Sequence, residues 1–544
     1  MRIRADRNRT SVFVIIWLAL FNSPLFAQYL DTIGVTLLRE TTTNLNGTGI
    51  RVCQPEAYDP YTPPGTNTWE VNPSTVGQPT NLFTYYSASG TAHTFTNTIG
   101  YESDHADSVA DYFYGIGGDE ATNVTHVDNY DANYFVLFSE SVVLGATNYT
   151  VTLPSTNIDD SVVNQSFDVP GASVALQEAT DSAYDNYAAK YGVLFVSGVG
   201  NGGPVNPPGT CYNGIGVGDN GGGSSYGPTL DNGRCKPDIV GTQGDTSWDA
   251  PEVAGAAAIL MQAGLRGDGG VHTNAAADIR TVKALLLNGA VKPADWSNVP
   301  PEPLSTNYGA GVLNVFNTYR QLTGGEYGYS VSNSVTQGSA HPPVPASNFI
   351  PVLVGWDFSS ITSSSSGIFQ TAADGVNHYF FKVTNDVPGG GPFSLTSTLV
   401  WDRQEGQTNI NHLALFLYNC ANSNLVACST SMVDNVQQIF LPQLAQGTYD
   451  LQVWKAGGTY VSAGESYALA WTFTSTPLAI STSGANIDLS WPVYPAGFVV
   501  ESSTNLSPPI VWSTNLAAPI FTNNQNVVSI APADAAQFFR LLTP

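Results

Sequence analysis

Thr246-Ser247-Trp248-Asp249-Ala250-Pro251-Glu252-Val253-Ala254-Gly255-Ala256-Ala257-Ala258 is a polar turn running into a helix of very small apolar residues. A serine at such a junction has its hydroxyl near unbonded backbone N–H groups and the positive end of a helix dipole. Those surroundings suit a nucleophile whose attack generates an oxyanion. Pro251 is expected in the first helical turn, where a missing N–H costs nothing. Asp249 and Glu252 are expected near the same positive end. The Ala/Gly run would let the helix pass through a crowded core. The same residues would also serve a capped, buried helix with no chemistry at all.

Other residues could complete a nucleophilic site. Gly49-Ile50-Arg51-Val52-Cys53-Gln54-Pro55-Glu56 is a Gly-led strand pattern ending in a carboxylate, with Asp59 three residues further on. A surface acid after a strand would read the same way. His105, one of seven histidines, stands in Asp104-His105-Ala106-Asp107-Ser108-Val109-Ala110. A reference pKa near ~6.5 suits it to proton transfer near neutral pH. Gly192-Val193-Leu194-Phe195-Val196-Ser197-Gly198-Val199-Gly200-Asn201-Gly202-Gly203 is a buried, parallel-type strand entering a Gly-rich turn that holds one amide, Asn201. Asn/Gly turns without a function are common.

In chain order these segments resemble the subtilisin-like serine peptidases. Thr246–Ala258 is similar to that family's G-T-S-x-A-x-P-x-V-A-G, which implies Ser247 as nucleophile. Asp104–Ala110 is similar to H-G-T-H-V-A, which implies His105 as general base. Glu56 falls where the family has its catalytic aspartate. Asp160-Ser161-Val162-Val163-Asn164-Gln165-Ser166-Phe167 resembles V-x-N-x-S-(L/F)-G, the strand lining the substrate cleft. Asn201 falls in A-A-G-N-x-G, whose Asn donates to the oxyanion. By resemblance, Ser166, Phe167 and Gly198 bind substrate. Arg234-Cys235-Lys236-Pro237-Asp238-Ile239-Val240-Gly241 resembles R-x-K-P-D-I-V-A-P-G. Asn307-Tyr308-Gly309-Ala310-Gly311-Val312-Leu313-Asn314 resembles the closing G-x-G-x-x-N turn.

The resemblance implies acyl transfer by a Ser-His-Glu triad, with polypeptides as substrates and no cofactor in the chemistry. The departures are Glu56 for Asp, Ala106 for Gly, Asp168 for Gly, and Asp245 where Gly precedes the Thr-Ser pair. They leave two alternatives open. One is an inactive scaffold used for secreted binding or adhesion. The other is the related acid-active sedolisin type, whose E-x-x-x-D helix has only Asp107-x-x-x-Asp111 as a counterpart here.

These residues need elements to position them. Before about Gly324, apolar strands such as Val193–Val196 alternate with helical stretches such as Thr281–Leu287 and Val315–Leu322. That alternation predicts an α/β fold with a mainly parallel central sheet over residues 28–325, and the resemblance implies the subtilisin-like three-layer arrangement of it. Beyond it, period-two strands take over: Tyr379–Val383, Leu395–Trp401, His412–Tyr418, Ile439–Leu441, Thr448–Trp454 and Tyr467–Phe473. They predict a β-sandwich over 326–475, similar to the pre-peptidase C-terminal domains of secreted bacterial proteases. Residues 476–544 predict a small immunoglobulin- or fibronectin-like β domain.

Length and charge set the surroundings. A chain of 544 residues is long enough for several domains. Residues 1–27 read as a secretory signal, with four Arg before an apolar Val12–Leu20 core, so secretion is expected. Gly49 follows the expected cleavage site by about 20 residues, so folding is expected without a pro-domain, or with help from a C-terminal domain or calcium. No other run approaches ~18 consecutive apolar residues, so no transmembrane anchor is expected.

The formal net charge is −25. Removing residues 1–27 takes away four Arg and one Asp, leaving 14 basic against 42 acidic residues, or −28. That argues against nucleic acid as a partner, since phosphate binding needs a basic surface. A monomer is expected. Structural calcium is compatible with the acidity, but no ligand set stands out and no metal site is assigned. Five cysteines in a secreted chain suggest disulfides plus one left over. The expected pairs are Cys420–Cys428 and Cys211–Cys235, with Cys53 a buried free thiol.

Overall fold

In the computed structural model, the described residues run from 29 to 542, apart from 59–66, 118–119, 144–145, 368–370, 385–392, 459–460, 476–477, 485, 493–498, 506–509, 515–516, 523–524 and 532–535. The expected signal segment and Asp59 therefore lie outside the described residues.

An eight-stranded sheet organises the N-terminal half. Its strands are β1 (Arg51–Glu56), β2 (Phe83–Ser87), β3 (Gly90–Ala92), β4 (His126–Asp131), β5 (Val162–Gln165), β6 (Leu194–Gly198), β7 (Ile215–Asp219) and β8 (Ile239–Gly241). Their spatial order is β8-β7-β6-β5-β1-β4-β2-β3. Every pairing is parallel except the edge strand β3 on β2. Parallel strands buried on both faces read as continuous apolar runs, and Val193, Leu194, Phe195 and Val196 are 0–1% exposed. The chain leaves β1 to one side through β4 and β2 and to the other through β5, β6, β7 and β8. The order reverses between β1 and β5, and ligand crevices in such sheets open at the carboxyl ends of the strands beside that reversal.

Helices α1 (Asp104–Asp111), α2 (Val174–Tyr191), α3 (Thr246–Arg266), α4 (Ile279–Gly289) and α5 (Val315–Gly324) include those that flank the sheet and carry the site. The small residues of α3 let it run through the middle of the core: Ala250, Val253, Ala254, Ala256, Ala257 and Ala258 are all 0% exposed. Gly255 is required there, because a Cβ on it would lie 2.7 Å from Glu120 Oε2 and 3.2 Å from Phe113 O.

The next region is the expected β-sandwich. A five-stranded sheet (Val331–Thr336, Ala373–Val383, Leu413–Asn419, Asn424–Ser429, Gly447–Lys455) faces a four-stranded one (Val354–Thr362, Phe393–Trp401, Val436–Leu444, Gly464–Ser475). It is not tethered loosely. Trp356, Val400, Val436, Ala468 and Ala470 belong to the same apolar core as α4 and α5. Polar contacts cross the same boundary: Thr398 Oγ1 donates to Asn288 Oδ1 at 2.9 Å, and Lys292 Nζ to Gln438 Oε1 at 2.8 Å. Arg403 pairs with Asp185 at 2.7 Å while its backbone N–H donates to Asn213. The C-terminal unit holds a separate small core of Leu489, Trp491, Val500 and Val528 between short antiparallel sheets.

The expected disulfides are absent: all five cysteines are free thiols. Strand register explains Cys420 and Cys428. Cys428 lies opposite Phe416, while the turn closes on Asn419 and Asn424, so Cys420 falls past the end of the ladder. Cys235 instead donates through Sγ to Leu304 O at 3.4 Å. Burial pushes the thiols of Cys53, Cys211 and Cys235 up from their ordinary range, which leaves them unreactive. Among the described residues, no helix is long and apolar enough to cross a membrane.

Candidate active site

Glu56 is the last residue of β1, at the carboxyl end of the sheet, and its side chain is 1% exposed. Its Oε2 lies 3.0 Å from His105 Nδ1. His105 is in the first turn of α1, which Ser103 caps by accepting the N–H of Ala106 at 3.2 Å. The carboxylate is anchored from behind. Gln54 Nε2 donates to Glu56 Oε1 at 3.0 Å and to the carbonyl of Ala106 at 2.9 Å. Tyr114 fixes Gln54 by donating to its Oε1 at 2.5 Å. A carboxylate on Nδ1 holds the proton there and leaves Nε2 as the basic nitrogen.

The first turn of α3 meets this pair. Trp248, next to Ser247, places its ring 5.1 Å from that of His105 and 6.0 Å from that of Tyr112, centroid to centroid. Gly198 at the end of β6 permits this docking from the other side, because a Cβ on it would lie 3.0 Å from Thr246 Oγ1. Ser166, just beyond β5, reaches the same turn, and its hydroxyl donates to the carbonyl of Ser247 at 2.8 Å. Phe167 is half-buried and packs against the main core.

Helix α3 starts earlier than the sequence suggests. It begins at Thr246, so Pro251 lies inside it rather than in its first turn. A proline there cannot donate to the carbonyl four residues back, which is that of Ser247. Ser166 supplies the missing donor. Asp249 and Glu252 are buried rather than merely near the helix end: Asp249 accepts from Gln243 N at 2.7 Å and Glu252 from Thr242 N at 2.8 Å. Burial pushes the Glu252 carboxyl up to about 7 and that of Asp249 well above its usual range.

Asn201 sits in the turn after β6. Its Oδ1 accepts from the N–H of Thr246 at 3.0 Å and from Thr246 Oγ1 at 2.9 Å. Its Nδ2 donates to Asp245 Oδ1 at 2.8 Å. The backbone N–H of Ser247 donates to that same oxygen at 2.9 Å. Asp168, the other departure beside the cleft, accepts from Asn206 Nδ2 at 2.7 Å, and burial raises its carboxyl.

The structure thus brings Glu56 and His105 into contact and sets Ser166, Gly198 and Asn201 around the Ser247 turn. Gln54, Tyr114 and Trp248 support the site although the sequence reading gave them no role. For Gln54 a signal existed: residues two apart on a strand share a face, and Glu56 is two residues on.

Residues 134–311 match the family model Peptidase_S8, the subtilase family. That stretch includes Ser166, Phe167, Gly198, Asn201 and Ser247, while Glu56 and His105 precede it. Residues 134–311 are therefore similar to the subtilase family of serine peptidases. Among solved structures, the prenylagaramide maturation protease PagA is similar at 18% identity over 53% of this chain and 99% of that one, with a TM-score of 0.31. Tripeptidyl peptidase 2 is similar at 12% identity over 81% of this chain and 52% of that one, with a TM-score of 0.31. Nothing among curated proteins matches the chain.

Proposed function

We propose that this chain is a secreted endopeptidase in which Ser247 attacks a peptide carbonyl, His105 takes its proton and Glu56 orients the histidine. Asn201 and the backbone N–H of Ser247 receive the oxyanion. His105 then protonates the leaving amine, and water resolves the acyl-enzyme. The observation that carries this reading is the buried Glu56 carboxylate 3.0 Å from His105 Nδ1, at the carboxyl end of a parallel sheet and beside the Ser247 turn. The extra methylene of Glu over Asp suits a strand that ends slightly further back. Polypeptides are the substrates, cleaved in the cleft beside Ser166, Phe167 and Gly198. Calcium, if bound, is structural.

Labelling of the mature chain with a fluorophosphonate probe tests this. Labelling is expected to vanish in Ser247→Ala and to fall steeply in Glu56→Ala. Labelling that survives in Ser247→Ala removes Ser247 as the nucleophile. A second reading, an inactive scaffold, draws on the Asp245 carboxylate that already occupies both oxyanion donors.

A further inference from the structure

An oxyanion hole is recognised by donors 2.7–3.1 Å from the point where the charged oxygen will sit. Here one atom meets that criterion for both donors assigned above. Asp245 Oδ1 lies 2.8 Å from Asn201 Nδ2 and 2.9 Å from the backbone nitrogen of Ser247. The side chain is placed for this by its position. Asp245 is the N-cap of α3, with extended backbone at φ −154° and ψ 132°. Asn201 is itself fixed by the two bonds it accepts from Thr246, so its N–H cannot turn elsewhere without breaking them. An N-cap alone needs only the Ser247 contact. The contact with Asn201 spans 44 positions of sequence and adds nothing to the helix.

We infer that Asp245 is a built-in plug of the oxyanion site, a carboxylate that stands where the charged carbonyl oxygen of a substrate must go. The inference rests on the serine-peptidase reading of Ser247. For a peptide carbonyl to react, the Asp245 side chain must swing out and surrender both donors. While it stays, the developing oxyanion finds its donors taken and a carboxylate in their place. Turnover in this chain is therefore gated by whatever draws Asp245 away, and the resting enzyme is restrained by a side chain that caps the Ser247 helix itself.

The test uses the full mature chain with a fluorophosphonate probe, whose phosphoryl oxygen needs the same two donors. Asp245→Gly removes the carboxylate; Asp245→Ser keeps a helix cap but is too short to reach Asn201. Thermal melts report that each variant is folded. Both variants are expected to label at least about tenfold faster than wild type, because a single oxyanion donor is typically worth ~10²–10³ in rate. Asn201→Ala is then expected to slow the Asp245→Gly chain by much more than it slows wild type, a coupling that a simple cap would not produce. If wild type labels through Ser247 and the folded variants are no faster, Asp245 is only a cap; the plug is overturned and the peptidase reading stands. If neither wild type nor the folded variants label, the peptidase reading fails and takes the plug with it.

Discussion

In the proposed chemistry His105 works as a base only if its proton stays on Nδ1, and Glu56 is the group that keeps it there. Gln54 and Tyr114 hold the carboxylate in turn, so its direction is set by buried neighbours rather than by solvent. Glu56→Gln should leave the geometry nearly intact while favouring the wrong tautomer. A drop of about 10²–10⁴ in kcat is expected, with KM little changed. Glu56→Asp should fall between wild type and Glu56→Ala, because β1 ends at a distance set for the longer side chain. Steady-state kinetics on a fluorogenic peptide would decide this. An unchanged kcat in Glu56→Gln would mean that the carboxylate does not orient the base.

At the scale of elements, the joint between β5 and α3 is a repair. Pro251 leaves the Ser247 carbonyl without its helical partner, and Ser166 supplies one from the neighbouring strand. Ser166→Ala should cost about 1–3 kcal/mol, the usual range for stranding a partly buried acceptor. Pro251→Ala restores an N–H at the right place, so the double variant should recover part of that loss. Urea midpoints of the four chains would measure the coupling. Strictly additive midpoints would show that Ser166 does not stand in for the missing helical bond.

At the scale of the molecule, the β-sandwich completes the peptidase core. Residues 28–325 alone would expose the α4 and α5 surface and leave Asn288 without Thr398 and Lys292 without Gln438. Burial already pulls Lys292 down to about 7, so it is poorly hydrated where it stands. The truncated chain is expected not to refold to a cooperative melt, with or without calcium, whereas 28–475 should. Circular dichroism after dilution from denaturant would show which. The whole fold should also favour acid. Burial raises the carboxyls of Glu70, Asp107, Glu252 and Asp357 to about 7. A carboxyl whose folded pKa exceeds its unfolded value of ~4 stabilises the fold fully below that value and loses the contribution as pH climbs through the folded one. Lys283, Lys292, Lys455 and His412, neutral more readily in the fold, oppose this, but the raised carboxyls, Asp111, Asp181, Asp402 and Asp434 among them, outnumber these groups. The melting temperature is therefore expected to fall between pH 5 and pH 8. A rise over that window would contradict it.

The α/β alternation, the later strand-rich regions and the chain order of Glu56, His105, Asn201 and Ser247 were all legible in the sequence. Each depends on local pattern: strand period, helix-forming runs and turn residues. Other features depend on which distant segments meet. Asp245 stood out only as a departure from a motif; its bond to Asn201 exists because β6 and α3 converge at the same end of the sheet. That Ser166 also donates to the Ser247 carbonyl came into view only because the helix starts before Pro251. The disulfides failed because spacing along the chain says nothing of strand register. The inner strands of the sandwich carry ordinary sandwich patterning, and only packing revealed that one face buries α4 and α5. Local hydrogen-bonding and burial preferences are written residue by residue, whereas the pairing of surfaces is fixed only when the whole chain has closed around its core.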